Sequence, residues 1–143
     1  MALLVRQLTT NFIAKYPDIE SDLYLAASSD SGYDATYKIF NNYVEEIDNK
    51  KLNLRILVSL ADGTVMMDTS KGEQNKYSRF KRKEINENHN SRLSILQALL
   101  TKSGEGYEEK FSTSTNQTEE YYAIRTGSST QQGNFTIRFS LKL

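Results

Sequence analysis

The first third of the chain carries apolar residues at helical spacing. Leu4, Leu8 and Phe12 recur every four positions, which places them on one face of a helix. Pro17 interrupts this pattern, and a proline is tolerated in the first turn of a new helix because its missing N–H would have no partner there. The apolar stripe then continues through Ile19, Leu23, Ala26 and Ala27. This pattern predicts long helices at the start of the chain.

The next helix is predicted after a small polar segment. Residues 28–32 are serine, aspartate and glycine, a composition typical of a turn. Asp34 is a suitable N-cap, since its side chain can accept hydrogen bonds from free backbone N–H groups. A second amphipathic face follows, made of Tyr37, Phe40, Val44 and Ile47. We expect this helix to end in the polar residues 48–51.

The pattern changes at Leu52 from helical spacing to short apolar runs. Residues 54–60 are predominantly apolar and predict a buried strand. Asp62 and Gly63 stand between this run and a second one at residues 65–68. Asp-Gly between two apolar runs predicts a tight hairpin, because glycine accepts the positive φ that such turns need.

A polar segment separates the hairpin from the rest of the chain. Residues 69–90 are irregular and include a basic run at 76–83, so we expect a long excursion that carries a short helix. Ser91 is a suitable N-cap for a further helix, which we expect to end near Gly104. Its apolar face consists of Leu93, Leu96, Ala98, Leu99 and Leu100.

Three further strands are predicted, at residues 107–112, 121–125 and 134–141. In the last of them apolar residues alternate with polar ones, which is typical of a half-buried antiparallel strand. The alternating apolar positions are Phe135, Ile137, Phe139 and Leu141. Helices followed by antiparallel strands predict an α+β domain, with a five-stranded antiparallel sheet and helices on one face.

Composition excludes several classes of protein. Lysine and arginine number 18 and aspartate and glutamate 18, so the zero net charge argues against a nucleic-acid partner held by a general positive field. There is no cysteine, which excludes disulfides and thiolate zinc sites. There is one histidine, His89, and no carboxylate set with the spacing of a calcium loop, so we expect no metal site. No apolar run approaches the length of a bilayer span, and we expect the chain as written to be soluble.

No recognised catalytic arrangement occurs in the sequence. It lacks a phosphate-binding loop, a Gly-x-Ser-x-Gly elbow and a recognisable carboxylate pair. We therefore expect a binding domain without a cofactor rather than an enzyme. The basic run at 76–83 is interpreted as a solvated helix face, since only Tyr77 and Phe80 accompany it as aromatic partners.

Five segments carry short motifs in a fixed order along the chain: residues 60–70, 88–99, 104–112, 122–123 and 135–143. Together they resemble the PAS-like extracytoplasmic sensor domains of the Cache type. The first resembles the family's pattern of an apolar strand, Asp-x-Gly, an apolar pair and then Asp-Thr, with Asp62 and Gly63 adjacent here. The second is similar to the helix start of that family. The others match its Gly-x-Gly, its Tyr-x-Ala strand and its final Ile-Arg-x-Ser strand.

This resemblance implies a single domain over 1–143, with N-terminal helices at 1–50 and a PAS-like sheet core at 52–143. It also implies the extracytoplasmic input half of a membrane receptor, a sensor histidine kinase or a chemoreceptor. Any kinase activity would then belong to a separate output domain, and membrane contact to flanking segments. The alternative is a dimerisation or protein-interaction module without a ligand, which predicts an exposed stripe of Leu4, Leu8 and Phe12 on the first helix.

In this fold the ligand pocket is expected between the sheet and the excursion. Arg92 follows a helix cap, where it serves either an anionic ligand or a structural salt bridge. Tyr107, Lys110, Tyr122 and Arg125 lie on neighbouring predicted strands, where a cation meets a carboxylate and a tyrosine hydroxyl orients it, or where all four form ordinary cross-strand pairs. Strand alternation places Tyr122 and Arg125 on opposite faces.

Overall fold

Three helices form the first part of the chain, as the apolar spacing predicts. The computed structural model of the protein describes residues 3–48, 53–60, 64–70, 97–98, 103–113, 116–126 and 135–142. The helices are α1 (Leu3–Lys15), α2 (Ile19–Ser28) and α3 (Asp30–Asp48). None of the helices described is long and apolar enough to cross a lipid bilayer.

The boundary between α2 and α3 differs from the expected turn. The chain leaves the helical conformation only at Ser29, so the predicted turn over 28–32 and the N-cap at Asp34 are wrong. Ser29 has an extended backbone, and its hydroxyl accepts a hydrogen bond from the backbone N–H of Gly32 at 3.0 Å. Gly32 serves close packing, because a Cβ there would approach the carbonyl oxygen of Leu25 to 2.6 Å.

The strands form one antiparallel sheet, which confirms the predicted fold class. They are β1 (Arg55–Leu60), β2 (Val65–Asp68), β3 (Glu105–Ser112), β4 (Gln117–Thr126) and β5 (Phe135–Lys142). Their order is β2-β1-β5-β4-β3, and both the β1–β2 and the β3–β4 pairs are antiparallel neighbours. The predicted hairpin strands and the three later strands are confirmed, although β4 begins at Gln117 rather than at residue 121.

One face of the sheet, here called the helix face, packs against α1, α2 and α3. Phe12 of α1 is fully buried, and its ring lies 5.0 Å from that of Phe40 and 5.5 Å from that of Phe139. Two buried tyrosines fasten the helices: Tyr33 donates to the Met66 carbonyl at 2.6 Å, and Tyr43 donates to the Leu8 carbonyl at 2.8 Å. The sheet residues of this face include Ile56, Val58, Met67, Tyr122, Ile124, Phe135, Ile137, Phe139 and Leu141.

The opposite side of the sheet, here called the second face, is also covered around β5. Residues 135–141 are all buried, so the expectation of a half-buried β5 is wrong. The physical reason is position: β5 is the central strand, and on the second face the helical residue Ala98 packs against Leu57, Val65 and Ala123. Polar side chains expected in solvent are therefore enclosed.

The apolar stripe of α1 belongs mainly to the core. Leu8 is 6% exposed and Phe12 is fully buried, whereas Leu4 is 42% exposed. The expected exposed stripe is therefore wrong for Leu8 and Phe12, because α1 packs against β4 and β5. The predicted excursion, its basic run, His89 and most of the helix after Ser91 lie outside the described residues.

Candidate functional site

The structure divides the residues predicted for the site between the two faces of the sheet. Tyr107 and Tyr122 stand directly opposite each other on the helix face. Lys110 and Arg125 lie on the second face. Arg92 lies outside the described residues. The four described residues therefore do not converge on one pocket.

The two tyrosines of the helix face each bond a carboxylate of β3. Tyr122 donates to Glu105, and Tyr107 donates to Glu109 at 2.8 Å. Burial, and then the bonded carboxylate, raise the pKa of each tyrosine to about 12. Both hydroxyls are therefore neutral donors near neutral pH.

Lys110, on the edge strand β3, contacts a carboxylate and an aromatic ring. Its Nζ lies 3.1 Å from Oε1 of Glu108 and 5.9 Å from the ring centroid of Tyr121. Glu108 is 9% exposed, so the ammonium offsets the charge of a buried carboxylate. The position of Lys110 is explained by this pair.

Arg125 lies nearer the centre of the second face. Its backbone N–H donates to the Gly104 carbonyl at 2.7 Å, and its side chain packs over Gly104. Gly104 has a φ of +68°, which favours glycine. Across the β4–β5 pair, Arg125 stands opposite Thr136.

A row of polar residues crosses three strands at this level. Ser59 on β1 is paired with Thr136 on β5, which is paired with Arg125 on β4. Ser59 and Thr136 are both fully buried, and neither hydroxyl has a hydrogen-bond partner among the described residues. In contrast, the buried hydroxyl of Thr9 donates to the Val5 carbonyl at 2.8 Å.

A second guanidinium lies beside this row. Arg138 is 4% exposed and follows Thr136 by two positions, so the two side chains share the second face. Its guanidinium carbon lies 4.8 Å from the ring centroid of Tyr121. Its cross-strand neighbours are Leu57 and Ala123, one of which has a small side chain.

An ion pair between β1 and β2 lies on the second face, on the side of the sheet away from β3. Nε and Nη2 of Arg55 lie 3.0 and 2.5 Å from the two carboxylate oxygens of Asp68. Oδ1 of Asp68 also accepts hydrogen bonds from the N–H and hydroxyl of Ser70. Burial raises the pKa of Asp68, but the bonds from Arg55 and Ser70 outweigh it and hold that pKa below its usual value.

The second face presents mainly hydrogen-bond donors to a ligand. Its described carboxylates are already bonded: Asp68 by Arg55, Glu108 by Lys110 and Glu119 by Tyr121. The central row adds two hydroxyls and the guanidinium of Arg125, and the guanidinium of Arg138 lies beside it. Guanidinium groups match the oxygens of carboxylates and phosphates. Within the described residues, no group of three or more histidine, cysteine, aspartate or glutamate side chains could hold a metal ion.

Sequence reasoning missed Ser59, Thr136 and Arg138. In β5 the alternation of apolar and polar residues predicts that Thr136 and Arg138 face solvent, and Ser59 lies within an apolar run. The only signal available was a polar residue inside a strand predicted to be buried. That signal applies to Ser59 and not to the β5 residues, whose burial depends on distant parts of the chain.

No protein-family model matches this sequence, and neither does any curated protein. Among solved structures, the fold is similar to the crystal structure of the V. cholerae histidine kinase DctB sensor domain, with a TM-score of 0.48 and 15% sequence identity. The match covers 97% of this chain and 52% of that chain. The present chain thus spans about half the length of that structure.

Proposed function

We propose that this chain is an extracytoplasmic ligand-sensing input domain of a membrane receptor of the sensor histidine kinase type, and that it binds a small polar or anionic molecule on the second face of its sheet. The observation that carries the proposal is the pair of buried hydroxyls of Ser59 and Thr136, which lie side by side on neighbouring strands without partners among the described residues. Arg125 and Arg138 are the cations proposed to accompany them.

The energetic argument concerns buried polar groups. A hydroxyl removed from water without a hydrogen-bond partner destabilises a fold by roughly 1–3 kcal/mol. Two such groups stand side by side on neighbouring strands, at Ser59 and Thr136. A bound ligand with oxygen acceptors would accept a hydrogen bond from each hydroxyl. Binding would then remove the free-energy cost that these hydroxyls impose on the free protein, and this favours the bound state.

The electrostatic argument concerns the sign of the ligand. Near the hydroxyl pair, Arg125 and Arg138 contribute positive charge, while Asp68 is already bonded by Arg55. Guanidinium groups bind carboxylates and phosphates through paired hydrogen bonds. An anionic or strongly polar ligand therefore suits the site better than a cation.

The receptor setting rests on the motifs described in the sequence and on the five-stranded α+β fold that they imply. In that setting the three helices precede the sheet, and α1 lies directly against β4 and β5. Ligand binding on the second face would be relayed through β5 to α1. Any kinase activity is assigned to a separate output domain.

A thermal-shift screen tests the proposal. Small carboxylates, phosphate and sulfate are compared with amines and neutral sugars, because a ligand that binds only the folded form raises the unfolding midpoint. We expect a shift from the anionic group. We expect Arg138→Gln and the double variant Ser59→Ala/Thr136→Val to reduce it.

The matched control is Asn41→Ala. Asn41 lies on α3, and α3 packs on the helix face of the sheet, opposite the second face. The shift of this variant should equal that of the wild type. The proposal is wrong if no anionic or polar compound shifts the midpoint, or if the shift survives in both site variants.

A further inference from the structure

A second region of the molecule, on the helix face, has the features of a separate ligand site. A cavity of about 340 Å³ lies between α1 and the β3–β4 pair, a volume within the range of small-molecule sites. Its helix side comes from one flank of α1, at Thr10, Ile13 and Ala14, and its sheet side from Tyr122 and Ile124. The lining is mainly apolar.

The cavity exists because α1 packs against β4 and β5, while β3 lies one strand farther out. A neighbouring cavity of about 360 Å³ continues over β3, between Arg6 and Tyr107. Glu105 and Tyr122 line both cavities, so the Glu105 carboxylate stands where the two meet. The charged group of Glu105 therefore marks the junction of an apolar cleft and a more polar one.

The surroundings of Glu105 are acidic and aromatic. Glu109 lies four positions along β3 on the same face, and Glu120 stands opposite Glu109 on β4. Tyr107 and Tyr122 lie between these carboxylates, and their rings offer faces that attract cations. Three carboxylates on this part of the face therefore favour a positively charged ligand.

Two basic residues of α1 bear on this charge. Nη2 of Arg6 lies 3.8 Å from Oε1 of Glu105, with the two side chains 60% and 43% exposed. Such an exposed pair at that distance contributes little and can be exchanged. Lys15 is paired with Glu46 at 2.9 Å. Arg6 thus shows that Glu105 attracts a cation, and a ligand cation can replace Arg6 there.

We propose that the groove between α1 and the β3–β4 pair binds an amphipathic organic cation, with its apolar part between Ile13, Ala14 and Ile124 and its cationic group at Glu105. The site lies on the face opposite Ser59 and Thr136, and the proposal does not rest on the proposed function. A ligand seated there touches α1 and the sheet together, so it strengthens their packing.

The probe is 2-phenylethylammonium, with 3-phenylpropionate and 2-phenylethanol as anionic and neutral compounds of matched size. Affinity is measured by calorimetry, and the site by changes in backbone amide NMR signals. We expect the ammonium to bind about twofold to fivefold more tightly than the alcohol, and the anion to bind least. Signals of residues 13–14, 105–107 and 122–124 should change.

Two variants and one control separate charge from shape. Glu105→Gln keeps an acceptor for Tyr122 but removes the charge, so the ammonium should fall to the affinity of the alcohol. Ala14→Leu fills the cleft and should weaken both compounds. Glu109→Gln changes a carboxylate of the same face that lines neither cavity, and binding should stay within about twofold of the wild type.

The proposal is overturned if the ammonium shows no saturable binding, or if the anion binds as well as it does. It is also overturned if the changed signals map to residues 58–59 and 136–138, or if Glu109→Gln matches Glu105→Gln in effect. The NMR spectrum of each variant reports whether it is folded, and Ala14→Leu provides an independent test should Glu105→Gln disturb the sheet.

Discussion

Arg55 and Asp68 form a two-point ion pair that joins the first residue of β1 to the last residue of β2. The Asp68 side chain is 3% exposed and that of Arg55 is 36% exposed, so the carboxylate is enclosed while the guanidinium reaches the surface. Ser70 adds two hydrogen bonds to the same carboxylate. The pair therefore fixes the chain where it leaves the β1–β2 hairpin.

We predict that Asp68→Asn lowers the free energy of unfolding by roughly 2 kcal/mol at neutral pH, because charged hydrogen bonds are lost and Arg55 is left without its carboxylate. The folded pKa of Asp68 is lowered, so its stabilisation is present above the unfolded carboxyl pKa of about 3.9 and is lost as pH falls toward the folded value. Urea unfolding at several pH values measures this.

The difference between wild type and Asp68→Asn should therefore shrink in acid. Asp34→Asn, at an exposed position of α3, is the control and should change stability by less than about 0.5 kcal/mol. A difference that is constant with pH would contradict the assignment of the effect to the ionised carboxylate.

For the buried hydroxyls we predict an unusual sign. Ser59→Ala and Thr136→Val should leave the unliganded protein equally stable or up to about 1 kcal/mol more stable, since each removes a buried donor without a partner among the described residues. Thr36→Val is the contrast, because the Thr36 hydroxyl donates to the Asp22 carbonyl at 3.1 Å. It should lose about 1 kcal/mol. Equal losses at all three positions would show that Ser59 and Thr136 are bonded in solution.

The stripe of α1 gives a prediction about the core. Phe12→Ala should lower the free energy of unfolding by about 3–5 kcal/mol, because it empties a fully buried site between Phe40 and Phe139. Leu4→Ala, at an exposed position of the same helix, should cost less than about 0.5 kcal/mol. Denaturant unfolding measures both. A Phe12→Ala protein with unchanged stability would contradict the packing of α1 on the sheet.

Gly104 gives a prediction about backbone conformation. Gly104→Ala should destabilise the protein by about 1 kcal/mol, because its φ of +68° is unfavourable for alanine. Gly104→Asn should cost less, since asparagine tolerates this region better than other side chains do. The order glycine, asparagine, alanine in thermal midpoint is the expected result, and equal midpoints for the two variants would contradict it.

Local patterns in the sequence predicted the elements well. Asp62-Gly63 between two apolar runs gave the β1–β2 hairpin strands, because turn chemistry acts over a few residues. The boundary between α2 and α3 lies at Ser29, but the sequence places it over residues 28–32 because glycine is typical of turns. Gly32 is instead helical, and its lack of a side chain permits close approach to the Leu25 carbonyl. A glycine required by a neighbouring helix has no distinct local signature.

The site was predicted less well because it depends on the order of the strands in the sheet and on which residues pack over its faces. Alternation correctly put Tyr122 and Arg125 on opposite faces. It did not reveal that β1 and β5 are neighbours, which is what places Ser59 beside Thr136. Burial of Arg138 likewise follows from the central position of β5 and not from its own sequence.

The position of β5 also constrains how the chain folds. β5 comes last of the five strands in the sequence, yet it lies between β1 and β4, and the two hairpins share no pairing without it. Arg55 and its partner Ser140 are 85 positions apart, so joining the sheet requires the closure of a long loop, which slows folding. Until residues 135–142 have been synthesised and inserted, a nascent chain presents the unpaired edges of β1 and β4, and such edges are where chains pair wrongly with one another.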